Sequence, residues 1–289
     1  MQNGFPVWYD AHVSNTSLYG ERFERIESQK HPVIQTLREL QTEKGRERHG
    51  AFQVEGAMVV HRALEYGTNV RFVVCTDRFL LTPDGESILA AAVQTGAFVY
   101  RVSEGLMAKI VPGKPPPAVA ACVERRLHEP SGLLDGPAPL LFLIDRCENP
   151  DNLGMLLRSL DAAGVDGVIL TADGVDPFSR LSVRASRGSI LSLRLSIVFE
   201  PEKWLAEARE REFRVAAASA HGSEGMWSIS FEGRMIVVVG NEHDGVRPSI
   251  KKMADSVVWI PVAGKMESLN IAVAAAILAY EAARQRRGP

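Results

Sequence analysis

An α/β fold in two parts, the second built on a parallel sheet, is what this sequence predicts, and three observations carry the prediction. Short apolar runs alternate with stretches of helical periodicity along most of the chain. Two runs, LLFLID at 140–145 and MIVVVG at 235–240, are apolar at successive positions, as in parallel strands covered on both faces. Between the halves lies RRLHEPSGLLDGPAP, where Pro130, Gly132, Gly136, Pro137 and Pro139 interrupt any regular pattern. At 289 residues the chain is long enough for two cores.

In order along the chain, residues 1–27 are polar and weakly patterned and read as a flexible arm. A first α/β domain, 28–125, opens after His31 with Val33, Ile34, Leu37 and Leu40 at helical spacing. AFQVEG then reads as a strand, AMVVHRALEYG as a helix closed by Gly67, and VRFVVC as a second strand. A helix over 85–95 and the strand AFVYRV come next. Residues 126–138 are the expected linker, and 139–289 the second domain. There GVIL, RVAAAS and SVVWIP join the two apolar runs, and helices are expected near 152–163, 202–211, 246–254 and 268–285.

Composition removes several function classes. A formal net charge of -2 gives no global attraction for nucleic acid, so any anion-binding surface must be a local patch. Cys75, Cys122 and Cys147 are odd in number, far apart and in apolar settings, which argues for a reducing compartment and against a disulfide framework. The histidines show no metal-ligand spacing, so no metal is expected. No run reaches the roughly 20 apolar residues that cross a bilayer, and MQNGFPVWYD lacks the features of a signal peptide, so a cytoplasmic protein with no membrane partner is expected. Neither a GxGxxG nor a GxxxxGK[ST] fingerprint occurs, and HGSEG lacks the spacing of a nucleophile elbow.

Ligands of open parallel sheets sit beyond the carboxyl ends of strands, which directs attention to the segments just after Asp145, Gly240 and Ile260. The first cluster is Pro150-Asp151-Asn152, with Arg158 beside the stripe Leu153, Leu156, Leu157, Leu160. Asn152 reads equally as a helix N-cap, and Arg158 as the partner of Asp151 or Asp161. The second is GNEHDGV, a tight loop bracketed by Gly240 and Gly245, in which Asp244 can cap a helix from Val246. In the third, Ser268 and Asn270 flank Leu269 before an Ala-rich helix, where a cap requires only one of them.

These clusters resemble, in order and spacing, the three motifs of the SpoU/TrmH family of RNA 2′-O-ribose methyltransferases in the SPOUT superfamily. N-x-G-x-x-x-R matches Asn152, Gly154 and Arg158; G-x-E-x-x-G matches Gly240, Glu242 and Gly245; and I-P-x-x-G-x-x-x-S-L-N matches Ile260, Pro261, Gly264, Ser268, Leu269 and Asn270. The N-terminal half resembles the substrate-binding domain, related to a ribosomal-protein fold, that such enzymes often carry. The resemblance implies a deep C-terminal trefoil knot, an exception to the usual absence of threading. It also implies a homodimer with active sites near the subunit interface. S-adenosylmethionine is then expected against backbone groups around Gly240, Asn241, Ile260 and Leu269. By the same resemblance, Arg158 activates the ribose hydroxyl, Asn152 and Glu242 order the site, and Ser268 and Asn270 position cofactor and nucleotide. Val262 and Ala272 stand where Met and Ser are frequent, and Glu267 adds a charge beside Ser268.

RNA, ribosomal or transfer, also needs phosphate contacts. FSRLSVRASRGSILSLRLSIVF carries Arg180, Arg184, Arg187 and Arg194 without an acidic residue, and reads either as a phosphate-binding patch or as a solvated helix face. Arg46 and Arg48, interleaved with Glu43 and Glu47, form a weaker second patch. A base-methylating enzyme of the same superfamily and a non-catalytic RNA-binding module are the alternatives. The second would not need Asn152, Arg158, Glu242, Ser268 and Asn270 together.

Overall fold

The computed structural model describes residues 23–287 and separates into two compact units that meet in sequence at Arg125 and Arg126. The first carries a five-stranded sheet of β1 (Phe23–Arg25), β2 (Ala51–Glu55), β3 (Val70–Thr76), β4 (Phe98–Val102) and β5 (Val119–Glu124), in the order β1-β4-β3-β5-β2. Its helices are α1 (Pro32–Glu39), α2 (Glu43–His49), α3 (Ala57–Glu65), α4 (Pro83–Thr95) and α5 (Glu104–Ile110). β1, β4 and β3 run parallel, and β5 runs antiparallel to both β3 and β2.

Of the expected arm, residues 1–22 lie outside the described residues, and the rest is not free. Glu24 pairs with Tyr100, the Ile26 N–H donates to Arg101 O at 2.8 Å, and Ile26 is buried in a core shared with Ile34 and Leu37. Helix α2 has no apolar stripe in the sequence and its cap defines it instead, Thr42 accepting from Gly45 N; α5 adds a Ser103 cap, accepting from Leu106 N, to the buried stripe Leu106, Met107 and Ile110.

In the second unit all seven strands are parallel: β6 (Leu140–Asp145), β7 (Gly167–Thr171), β8 (Leu195–Val198), β9 (Arg214–Ala218), β10 (Glu224–Gly225), β11 (Met235–Gly240) and β12 (Ser256–Trp259). They stand in the order β10-β12-β9-β11-β6-β7-β8. The chain steps outward from β6 through β7 to β8, then restarts on the other side with β9. The order therefore switches between β6 and β11. Val238 faces Leu143 and Gly240 faces Asp145, so both strands end at the same level. Every residue of β6 and β7 is buried, as their uninterrupted apolar runs require.

The unit's helices are α6 (Pro150–Ala163), α7 (Arg180–Ser186), α8 (Pro201–Glu210), α9 (Pro248–Lys251) and α10 (Ile271–Arg287). None in either unit is long and apolar enough to cross a membrane, among the described residues. The expected linker is part of this second unit. Pro130–Leu134 forms a 3₁₀ turn whose Leu133 and Leu134 are fully buried beside Leu141 and Trp204, and Trp204 Nε1 donates to Pro130 O at 3.0 Å. Two buried leucines contribute about 1.5–3 kcal/mol each, enough to hold a five-residue turn that Pro and Gly make look like a tether.

Candidate active site

Helix α6 follows β6 across the switch point, and its cap decides what Asn152 can do. The N-cap is Asn149, whose Oδ1 accepts from Asp151 N (2.9 Å) and Asn152 N (3.1 Å), not Asn152 as its position also allowed. The Asn152 amide is thereby left for longer-range contacts. Its Nδ2 donates to Glu242 Oε1 at 2.9 Å, and its Oδ1 accepts from Asn270 Nδ2 at 2.9 Å. Asn270 caps α10 in turn, its Oδ1 accepting from Ala272 N at 2.8 Å, so Ser268 is not the cap. One amide thus joins three segments separated by 90 and 118 residues.

Glu242 accepts further bonds, from Cys147 Sγ at 3.5 Å and from Glu148 N at 3.4 Å. Burial alone would raise its carboxyl pKa, but the Asn152 amide and surrounding N–H donors hold it below the usual range. Burial, reinforced by the Glu242 charge, pushes the Cys147 thiol up to about 12. A depressed carboxylate stabilises the fold above the unfolded value of about 4.3, and that stabilisation disappears as pH falls through the folded value. The stability gap between the wild type and Glu242→Gln is therefore expected to be constant near neutrality. It should close below about pH 4, as read from urea unfolding at several pH values.

The loop after β11 is shaped by Asn241, which is almost fully buried. Its Oδ1 accepts from His243 N (2.8 Å) and Asp244 N (3.1 Å), while Nδ2 donates to Arg146 O at 2.9 Å. The loop folds back so tightly that a Cβ on Gly240 would lie 2.0 Å from Val246 N. Asp244 caps no helix, since α9 begins only at Pro248; its nearest cation is Arg146 at 3.9 Å.

The end of this loop is instead clamped by Asp145, which is completely buried. Its Oδ2 accepts from Arg247 N and its Oδ1 from Arg247 Nε, both at 2.7 Å. The same guanidinium reaches both oxygens of Asp173 at 3.0 and 2.9 Å. Burial alone would lower the Arg247 pKa, and its bonds to Asp145 and Asp173 outweigh that and raise it. Sequence reasoning missed this clamp; its one local sign is an acid ending an otherwise apolar strand.

Beside the Glu242–Asn152–Asn270 chain lies a cavity of about 590 Å³. Gly240, Asn241, Glu242, Ile260, Ser268 and Leu269 line it; Asn152, Asn270 and Arg158 do not. Among the described residues, no backbone N–H from Val262 to Leu269 donates to a protein acceptor. These residues also hold no cluster of three or more metal-ligating side chains.

Arg158 stands apart. Six residues beyond Asn152, it is about 9 Å further along α6 and on another side of the helix. It is exposed and makes no ion pair with Asp151 or Asp161; Asp161 accepts from Ser192 Oγ. Asp151, Met155, Arg158 and Ala162 form an outward stripe on α6, and Val273 and Tyr280 are exposed on α10, which packs against it. Gly154 permits the close approach of α7, since a Cβ there would lie 2.4 Å from Ala185 Cβ. α7 therefore lies alongside α6, with Arg184 and Arg187 exposed and Arg180 half-buried.

In the first unit, Arg46 is not a surface cation. It is 5% exposed and its Nη1 donates to Leu40 O at 2.9 Å, closing the end of α1. Arg48 remains exposed and pairs with Glu39 at 3.2 Å. Arg194 likewise serves the fold, donating to Gly132 O at 2.8 Å.

Comparison with known proteins matches the second unit to the SpoU rRNA Methylase family over residues 139–280, and the first to the MRM3-like substrate binding domain over 31–121. The 23S rRNA (guanosine(2553)-2'-O)-methyltransferase RlmP of Bacillus subtilis is 29% identical, over 89% of this chain and 98% of its own. The 23S rRNA (uridine(2479)-2'-O)-methyltransferase of Streptomyces viridochromogenes is 30% identical, over 83% of this chain and 85% of its own. The crystal structure of an AdoMet-bound rRNA methyltransferase from Sinorhizobium meliloti aligns with a TM-score of 0.80 at 28% identity, covering 90% of this chain and 97% of that one.

Proposed function

This chain belongs to the SpoU rRNA methylase family, and from that premise we propose that it transfers a methyl group from S-adenosylmethionine to a ribose 2′-hydroxyl of ribosomal RNA. The observation that carries the reading is the Asn152 amide, which links Glu242 to Asn270 beside the cavity at the carboxyl ends of β9, β11 and β12.

The cavity fits the cofactor on its own chemistry. It offers apolar walls from Ile260 and Leu269, unengaged backbone donors along 262–269, and a loop that Gly240 keeps tightly closed. When bound, S-adenosylmethionine supplies an electrophilic methyl group on a sulfonium. Asn152 and Asn270 fix the start of α10, and Ser268, exposed and uncommitted, faces the same cavity to position cofactor and nucleotide. Glu242 already accepts from Asn152, Cys147 and Glu148, so its role is to hold the loops, not to take a proton.

Arg158 activates the 2′-hydroxyl electrostatically. A guanidinium does not deprotonate in proteins and cannot serve as the base. It stabilises the developing alkoxide and grips the adjacent phosphate while the hydroxyl proton passes to solvent. Because Arg158 points away from the Asn152 cluster of its own chain, it acts in the site of a second copy. The exposed Met155, Val273 and Tyr280 supply the apolar contact for that homodimer. The passage from β12 to α10, returning past β9 and β11, is the proposed trefoil crossing. Free, buried Cys75, Cys122 and Cys147 agree with a cytoplasmic site of action.

Calorimetry of the full chain with S-adenosylmethionine tests the reading. Saturable one-site binding, lost when a Leu269→Trp change fills the cavity, is expected; no binding would leave an RNA-binding module. The exposed Arg184 and Arg187, at the end of α7, are the proposed phosphate contacts. Replacing both with alanine should weaken RNA binding and reduce the slope of log K against log[salt] by about 2. An unchanged slope would remove this patch from the interface.

A further inference from the structure

The first unit has its own cavity, of about 250 Å³, at the carboxyl ends of β3 and β4. It is smaller than the roughly 300–1,000 Å³ of sites for drug-sized ligands, and so suits a single heterocycle better than a whole cofactor. Phe79, Met107, Pro116 and Pro117 give it flat, apolar walls. The lining also carries two polar groups of opposite character. Thr76 Oγ1 accepts from Phe79 N at 3.3 Å, which leaves the hydroxyl hydrogen to donate inward. Glu104 brings a carboxylate, exposed and with no cation paired to it among the described residues. The Arg78 guanidinium, also in the lining, is exposed and makes no ion pair with the described residues, and Lys114 lies two residues before Pro116.

Apolar walls, one inward donor, one carboxylate acceptor and an unpaired guanidinium are the components with which proteins take up an unstacked RNA base and its phosphate. A carboxylate selects among bases, because only guanine presents two adjacent N–H donors on its Watson–Crick edge, next to a carbonyl acceptor for the threonine. We propose that this cavity captures a splayed guanine of the RNA substrate, with Glu104 accepting from the N1–H and N2–H groups, Thr76 donating to O6, and Arg78 contacting the flanking phosphate. The proposal rests on the reading of the protein as an RNA methyltransferase, and it assigns a recognition subsite to the first unit.

The test measures binding of the full chain to five-nucleotide RNAs by fluorescence anisotropy, using a uridine run with a central G, A, C or U. The G oligomer is expected to bind about tenfold more tightly than the other three. Glu104→Gln should abolish that preference, and Ala118→Trp, which fills the cavity, should reduce all four to the level of the U oligomer. S-adenosylmethionine binding, measured on the same samples, should be unchanged, which also shows that the variants are folded. Equal affinity for the four oligomers, preference for another base, or a guanine preference that survives both substitutions would overturn the proposal. Guanine preference in a chain that fails to bind S-adenosylmethionine would sustain this subsite and sink the methyltransferase reading instead.

Discussion

Arg158→Lys is expected to lower single-turnover methyl transfer about 100-fold while leaving S-adenosylmethionine affinity within about twofold of wild type. Lysine keeps the positive charge but loses the planar fork that can hold a phosphate and a developing alkoxide together. The side chain does not line the 590 Å³ cavity proposed for the cofactor and makes no ion pair among the described residues, so neither cofactor binding nor stability should register its loss. A shared site makes a stronger prediction. Arg158→Ala and Asn152→Ala homodimers should each be nearly inactive, but subunit exchange between them should restore about one quarter of wild-type transfer. Half the dimers are then mixed, and each mixed dimer has one intact site of two. If the mixed sample stays inactive although exchange is verified, Arg158 does not act across a dimer. Near-normal turnover of Arg158→Lys would remove it from the mechanism.

Replacing Arg247 with methionine is expected to destabilise the protein by about 3 kcal/mol, because the buried Asp145 carboxylate then loses its hydrogen-bonded guanidinium and keeps only Arg146, 3.5 Å away and not hydrogen-bonded to it. At roughly 2–4 °C per kcal/mol for a domain of this size, the melting temperature should fall on the order of 10 °C. The Asp145→Asn/Arg247→Met double variant should recover much of that loss, since the buried carboxylate is removed together with its guanidinium. The effect should also reach the site, because Arg247 ties the loop after β11 to the ends of β6 and of β7. A drop smaller than about 1 kcal/mol in urea unfolding would mean that water reaches Asp145 and that the clamp is a surface ion pair.

Five strands of the second unit were legible because apolar runs of that length have few other uses in a packed domain, whereas β8, inside the arginine-rich stretch, and the two-residue β10 were not. β6 and β11 fall where LLFLID and MIVVVG predict them. Their adjacency was not legible, since strand order is a property of connections and not of composition. Two of the helix starts that differ from expectation do so for one reason. Asn149 and Asn152, like Ser268 and Asn270, are competent caps within three residues of each other, and only tertiary contacts decide which is used. Pro and Gly around Leu133 and Leu134 look like a tether because local turn chemistry does not reveal whether the leucines between them are covered. Arg46 sits in a charged stretch that reads as solvated, yet its partner is the carbonyl at the end of the preceding helix. The Asp145–Arg247 clamp spans 102 residues and leaves no periodic trace.

The central claim is that the cluster joining Asn152, Glu242 and Asn270 serves chemistry at a sugar oxygen. Its most direct test is tritiated methyl transfer from S-adenosylmethionine to total RNA of an undermethylated host, followed by digestion to nucleosides. The account predicts that the label resides in one 2′-O-methylated nucleoside of ribosomal RNA and that Asn152→Ala abolishes it. Label on a base, or no incorporation by a chain that binds both cofactor and RNA, would contradict it.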